Sequence, residues 1–279
     1  MAFAVVQSNA ATAQGGGSTS FTFTITTPLT TGNNVLACLA YTSNGIVVTS
    51  VVDNLGNAFS LDKRVTLSSR VAEIWRSTGV VGGASTLTIT FNGGKSGVGI
   101  TGIEISTAVG QTMAVSQQNS ASSTPAVSSF PHGSITTLGV ELVISVGRIG
   151  SAVITIVAPA GYTQRSGNTG VNSSYVMSRI TAGVEVTNPT PTSAGSTGYA
   201  GLTISYSEIP DTSGLRVSQM PKQVYYSEPA EARVTQMIRT VFFTFSCEPG
   251  PVPPTGEPGC PAEVPLLPVT PPSGCPDEV

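Results

Sequence analysis

An all-β fold is what this sequence predicts, and three observations predict it. Val, Ile, Thr, Phe and Tyr recur in short runs, and these residues fit a pleated, half-buried surface. Gly, Asn and Pro separate the runs; with 31 Gly and 20 Pro in 279 residues, the chain is punctuated too often for long helices. The Ala, Leu, Glu, Lys, Gln and Arg mixture that fills helices is scarce, and charged residues make up only 10% of the chain, against about 25% in an ordinary soluble domain. The expected architecture is a set of β-sandwich or jelly-roll-like units, followed by a β-hairpin repeat and a Pro-rich extended tail.

The elements follow in chain order. Residues 21–26 (Phe-Thr-Phe-Thr-Ile-Thr) alternate apolar and polar, as a half-buried strand does. Residues 34–41 are more continuously apolar and read as a central sandwich strand. Residues 46–52 form another, closed by Asp53-Asn54-Leu55-Gly56-Asn57, a cluster of turn formers. Residues 70–75, 85–91 and 99–105 complete the set, with Asn92-Gly93-Gly94 expected as a turn between the last two. Regular spacing of this kind predicts a sandwich unit over 1–110.

A second, related unit is expected over 111–210. Residues 138–146 sit where 34–41 sat, residues 152–162 parallel 46–59, and residues 201–209 echo 99–106. Pattern alone allows separate sandwiches or two halves of one joint sandwich.

Residues 211–246 carry the sharpest internal repeat. Residues 216–226 (Arg-Val-Ser-Gln-Met-Pro-Lys-Gln-Val-Tyr-Tyr) return as residues 233–243 (Arg-Val-Thr-Gln-Met-Ile-Arg-Thr-Val-Phe-Phe). Each copy reads as one strand, and Pro221 puts a bulge or an edge in the first. An isolated strand pair is marginal in water, so the hairpin is expected to be an assembly element built on Arg216, Met220, Tyr225, Tyr226, Arg233, Met237, Phe242 and Phe243. Residues 247–279 are Pro-rich and read as polyproline II or irregular extended chain. Their Cys247, Cys260 and Cys275 are candidates for disulfides, with a Cys260 to Cys275 loop favoured and Cys247 left for another partner. Cys38, inside an apolar strand, reads as a small buried hydrophobe.

Composition excludes several functions. A net charge of −3 offers no field for a phosphate backbone, so no nucleic-acid partner is expected. No stretch approaches the roughly 20 apolar residues of a membrane span, and the opening residues lack the positive charge of a secretory signal peptide. Synthesis in the cytoplasm is therefore expected. The lone His132, beside Pro131 and Gly133, reads as an exposed turn residue rather than a catalytic base. Gly94-Lys95-Ser96 lacks the earlier Gly of a phosphate-binding loop and reads as part of a hairpin turn. Asp53, Asn54 and Asn57 read as an Asx-type turn rather than a Ca²⁺ site. Glu73, Glu104, Glu141, Glu185 and Glu208 are expected to face outward from strands rather than to form a glycosidase pair. Trp75 is expected in a core, although with Tyr162, Tyr175 and Tyr199 it could form a sugar-stacking platform. No catalytic residue, metal or cofactor is assigned, and the chain is not expected to be an enzyme.

The segments Gly32-Asn33-Asn34-Val35-Leu36, Glu73-Ile74-Trp75-Arg76 and residues 48–57 and 86–91 resemble the β-sandwich modules of tailed-bacteriophage structural proteins and bacterial surface proteins. The Arg-Val-Ser/Thr-Gln-Met repeat is similar to segments near the C-termini of phage virion proteins, tail and adhesin proteins included. The resemblance implies a virion component of tail, neck or head surface, assembling as a homo-oligomer with other virion proteins. Its alternative is a host-surface or carbohydrate-binding adhesin module taking a cell-surface glycan. It transfers no catalytic residue.

Overall fold

The computed structural model describes residues 3–150, 155–167 and 174–211, which belong to one compact unit spanning Met1–Ser213. The hairpin residues Arg216, Met220, Tyr225, Tyr226, Arg233, Met237, Phe242 and Phe243 lie outside the described residues, as do Cys247, Cys260 and Cys275.

The described chain is all-β and contains no helix. Its first half holds β1 (Ala4–Thr24), β2 (Asn34–Thr42), β3 (Val48–Asp53), β4 (Ser60–Leu67), β5 (Arg70–Ser77) and β6 (Thr86–Ser106). These form one antiparallel sheet in the order β1-β6-β2-β5-β4, with β3 on β6. The second half holds β7 (Gln111–Ser129), β8 (Ile135–Thr136), β9 (Leu142–Ile149), β10 (Ile156–Val157), β11 (Thr163–Gly167), β12 (Ser174–Ile180), β13 (Val186–Thr187) and β14 (Thr192–Pro210). Here the order is β10-β14-β9-β12-β11, with β7 on β14 and a small β13-β8 pair aside.

The two sheets share one plan. In each, a long first strand pairs with a long last strand (β1 with β6, β7 with β14), and that last strand also takes a central strand and a short one (β2 and β3, or β9 and β10). They lie face to face: β5 touches β9 as β12 touches β2, and β4 touches β7 as β11 touches β1. Exchanging the halves maps each of these four contacts onto another of them, an approximate twofold relation from which β14 departs by also touching β4 and β5.

Three apolar clusters result. The middle one joins the sheets, with Leu36, Cys38, Ile74, Ile103 and Ile105 meeting Leu142, Ile144, Val146, Val176, Leu202, Ile204 and Tyr206. A second lies on the far side of the first sheet, where Phe21, Phe23, Leu87, Ile89 and Phe91 cover Val35, Leu39, Tyr41, Val71 and Trp75. A third, smaller one covers the far side of the second sheet with Phe130, Ile149, Tyr175, Met177 and Tyr199. Because β2 has a core on both faces, its residues from Asn34 to Tyr41 are all buried, and its sequence is continuously apolar instead of alternating.

The expected turn at Asn92-Gly93-Gly94 does not form; β6 runs through it, and Lys95 is strand as well. The reason lies in β1, which pairs with β6 from Ala4↔Ser106 to Thr24↔Thr86 and bends with it. At the bend Gly17 has φ 80, and a Cβ on Gly94 would stand 2.4 Å from Gly17 O, so the two backbones cross where only glycine fits. The ribbon folds over instead of reversing, which lets Phe21, Phe23 and Phe91 cover the first sheet.

Candidate functional site

Each half buries a polar cluster on the far side of its sheet. In the first half, Glu73 on β5 has no exposed surface. Its Oε1 accepts from Arg64 Nε of β4 at 2.5 Å and from the Tyr41 hydroxyl, and its Oε2 accepts from Trp75 Nε1 at 2.6 Å. Burial, reinforced by the Glu73 charge, pushes the Tyr41 hydroxyl far above its ordinary range. Burial works against the charge of Arg64, but the hydrogen bond and charge of Glu73 raise it on balance. Arg64 also donates from Nη2 to Val48 O at 3.0 Å, which ties β3 to the sheet. The carboxylate thus ties β5 to β2 through Tyr41 and to β4 through Arg64.

In the second half, His132 is likewise without exposed surface. Its Nδ1 is hydrogen-bonded to Ser145 Oγ at 2.5 Å and its Nε2 to Tyr175 Oη at 2.7 Å. The ring stacks on Tyr199 with centroids 6.2 Å apart and fills the space over Gly201, where a Cβ would stand 2.2 Å from His132 Cδ2. Burial pushes the imidazole down to about 3, so it is neutral at pH 7. Ser and His do meet here, but Ser145 and Tyr175 are as buried as the ring, so the hydroxyl meets no solvent-borne substrate. The expectation of an exposed turn histidine is overturned: the ring is buried against Ser145 and Tyr175, and His132 N donates to Pro189 O and Phe130 N to Pro191 O, which fastens this loop to the segment leading into β14.

The carboxylates are not outward-facing either. Glu104 and Glu141 are each only 2% exposed. Burial disfavours the Glu104 charge, but donors from Gln7 Nε2, Thr30 N and Asn33 Nδ2 hold its pKa below the ordinary carboxylate value. Glu141 accepts from Ser116 Oγ at 2.7 Å and from Leu138 N at 3.1 Å. Each carboxylate faces inward because a loop or neighbouring strand offers it donors, which sequence period cannot reveal. Glu185 pairs with Arg179, and Glu208 accepts from Ala108 N at 2.7 Å. Asp53 Oδ1 accepts from Leu55 N and Asn57 N, the Asx-type turn.

Trp75, Tyr175 and Tyr199 are buried, so they offer no exposed stacking platform. Cys38 is a buried free thiol whose pKa burial raises. An open depression of about 600 Å³ lies beside Tyr199, lined chiefly by Ser123, Ser128, Ser129, Pro131 and Ser196. No family model, curated protein or solved structure matches the chain.

One feature on the surface stands apart. Among the described residues, β1 and β7 pair on one side only, with β6 and β14 respectively, so each is a long sheet edge. Neither the 21 residues of β1 nor the 19 of β7 include an Asp, Glu, Lys or Arg. The opposite edges differ: β4 carries Asp62, Lys63 and Arg64, and β11 carries Arg165. Natural edges are blunted by charge, proline or bulges; β1 and β7 carry no charge, while β7 holds Pro125 and both strands pair through register shifts.

Proposed function

We propose that the chain is a structural component of a virion, of the tail, neck or head-surface accessory kind, acting by protein-protein assembly. The observation that carries this reading is the pair of uncharged edge strands, β1 and β7. Long uncharged edges offer main-chain hydrogen bonds to a further strand along the stretches away from Pro125 and the bulges, and a second copy of the chain supplies edges of the same kind. The inward use of Glu73, His132, Glu104 and Glu141 supports it too, since their hydrogen bonds are made to other groups of the same unit. The second reading, a host-surface or carbohydrate-binding adhesin, is favoured by the hydroxyl-lined depression beside Tyr199.

Sedimentation of the full chain tests the first. The expected result is concentration-dependent self-association that Val6→Lys combined with Ser122→Lys abolishes at unchanged Tm, because both residues are exposed on the edges. Antibody labelling of particles then locates the protein. A wild-type chain that stays monomeric and labels no particle, while binding glycans saturably on an array, overturns assembly in favour of the adhesin.

A further inference from the structure

The pairing of β9 with β12 runs on into that of β8 with β13, so the two segments form one antiparallel ribbon in a single register. Ile180 pairs with Leu142, Thr181 N donates to Glu141 O, Gly183 bridges Gly139, Thr137 N donates to Glu185 O, and Val186 pairs with Thr136. Side chains alternate between the two faces of such a ribbon. Leu138, Val140, Ile180, Val184 and Val186 therefore share one face, and Thr137, Glu141, Thr181, Glu185 and Thr187 share the other.

The ribbon is inside out. Its inner face is the polar one, with Thr137, Glu141, Thr181 and Thr187 buried. Thr137 Oγ1 donates to Gly183 O and Thr181 Oγ1 to Gly139 O, each at 2.9 Å, while Thr187 Oγ1 is hydrogen-bonded to Tyr162 Oη at 2.8 Å. The outer face is apolar and stands in water: Val184 and Val186 are 71% and 72% exposed, Leu138 is 66% exposed, and Val140 and Ile180 are exposed as well. No Asp, Glu, Lys or Arg stands on this face. A slip of one residue would exchange the faces, but it would break the hydrogen bonds beneath, so the register holds the apolar side outward. Single exposed apolar side chains are ordinary, whereas five on one face make a patch of the kind that marks a contact.

We infer that the outer face of this ribbon is a contact surface for a second copy of the chain, used together with the β7 edge. The inference rests on the self-assembly reading above and adds an apolar surface to it. The ribbon is continuous with that edge: β8 touches β7, Asn119 Nδ2 of β7 donates to Ser134 O at 2.7 Å, and Ser116 Oγ of β7 donates to Glu141 Oε1 at 2.7 Å. From Ile135 to Leu142 the ribbon runs roughly 25 Å and is about 10 Å wide, a face on the order of 250 Å². A standard protein contact takes about 800 Å² per partner, so the ribbon is too small alone and the edge beside it supplies the remainder. A second copy brings both parts, an apolar ribbon and an uncharged edge. A lipid surface fits less well, because a membrane-binding face sets Lys or Arg and Trp around its apolar centre, and this face carries none of them.

Sedimentation velocity of the full chain over a range of concentrations, with flotation on phosphatidylcholine vesicles as a second measurement, tests the contact. Val184→Lys combined with Val186→Lys is expected to weaken self-association at least about tenfold at unchanged Tm, since both side chains stand in solvent and lose only what a partner would cover. Val184→Thr combined with Val186→Thr keeps the β-branched shape without a charge; it is expected to give a smaller loss and serves if the lysine pair disturbs the fold. Wild-type self-association that both variants leave intact overturns the ribbon contact and leaves edge assembly standing. A wild-type chain that stays monomeric at every concentration overturns the assembly reading and the ribbon contact with it. Flotation of such a monomer with the vesicles, lost in the lysine variant, replaces the second copy by a lipid surface.

Discussion

The two halves of the compact unit use the same strand order to solve one problem in opposite ways. Each has to bury a polar side chain on the far side of its sheet. The first half buries the carboxylate of Glu73 under the broad aromatic cover that the bent β1 and β6 ribbon supplies and pairs it with Arg64, whose side chain stays 26% exposed. The second buries a neutral His132 between two hydroxyls, under the smaller cluster around Phe130. A charged group needs enough donors to replace its water, and Glu73 collects three from three residues. A neutral ring needs only a proton donor and an acceptor, which Ser145 and Tyr175 provide. The thickness of the cover and the charge beneath it vary together.

The largest effect that would break this comparison is expected at Glu73. Glu73→Ala takes the acceptor from the buried Tyr41 and Trp75 donors and the carboxylate from the partly exposed Arg64, and is expected to cost about 2 to 4 kcal/mol, read from the urea midpoint at pH 7. Replacing Glu73 and Arg64 together by Leu, and Tyr41 by Phe, is expected to cost less, because neither the guanidinium nor the Tyr41 hydroxyl is then left without its partner. A single-variant cost no greater than that of Ser145→Ala would mean that the ion pair and the neutral cluster are equivalent.

A smaller effect sharpens the second half. Gly201→Ala pushes a methyl to 2.2 Å from His132 Cδ2, and Gly147→Ala does the same to Tyr175 Cζ. Each is expected to lose about 1 to 3 kcal/mol through overpacking. Gly139→Ala, where nothing lies within 4 Å, is the control and is expected to leave Tm nearly unchanged.

The smallest expected effect per step is with pH. The folded pKa of His132, about 3, lies below its ordinary 6.5, so the unfolded chain binds the extra proton between those values. The contribution is complete above 6.5 and is lost as the pH falls, by at most about 1.4 kcal/mol per unit. Glu104, with its pKa also lowered in the folded chain, adds its own loss only near and below the ordinary carboxylate value of 4.5, so the window from 6.5 to 4.5 isolates the histidine. Denaturant titrations across that window are expected to slope for the wild type and flatten for His132→Gln. An unchanged slope in the variant would place the acid sensitivity elsewhere.

The alternation of Phe21 and Phe23 and the apolar run of β2 were legible because both report a local period. The strand β4 was not. Asp62, Lys63 and Arg64 look like a solvated loop until Arg76 and Glu73 are brought opposite them, 14 and 9 residues further on. β7 escaped notice as well, because an edge strand of Ser, Gln and Thr has only one fully buried position, Met113, and hence no apolar rhythm. His132 misled for a different reason. Pro131 and Gly133 do mark a turn, but burial of the ring depends on Gly201, nearly seventy positions away, having no side chain. Glu73 and Glu104 read as outward because a strand's alternation assigns a face, and the far face of their sheet is covered by chain that its own sequence does not announce; Glu141, just before β9, is turned inward by Ser116 and Leu138.

The pairing of first strand with last also sets the order in which the molecule can form. Ala4 meets Ser106, and Gln111 meets Pro210, so neither sheet closes until about a hundred residues after its first strand have been made. At about 5 to 20 residues per second that interval is on the order of ten seconds, long compared with hairpin formation in microseconds. Throughout it β1, without a charge along its length, waits unpaired. A nascent chain of this design is most exposed to other copies of itself before its own last strand arrives, and slowing translation between residues 24 and 86 lengthens that exposure.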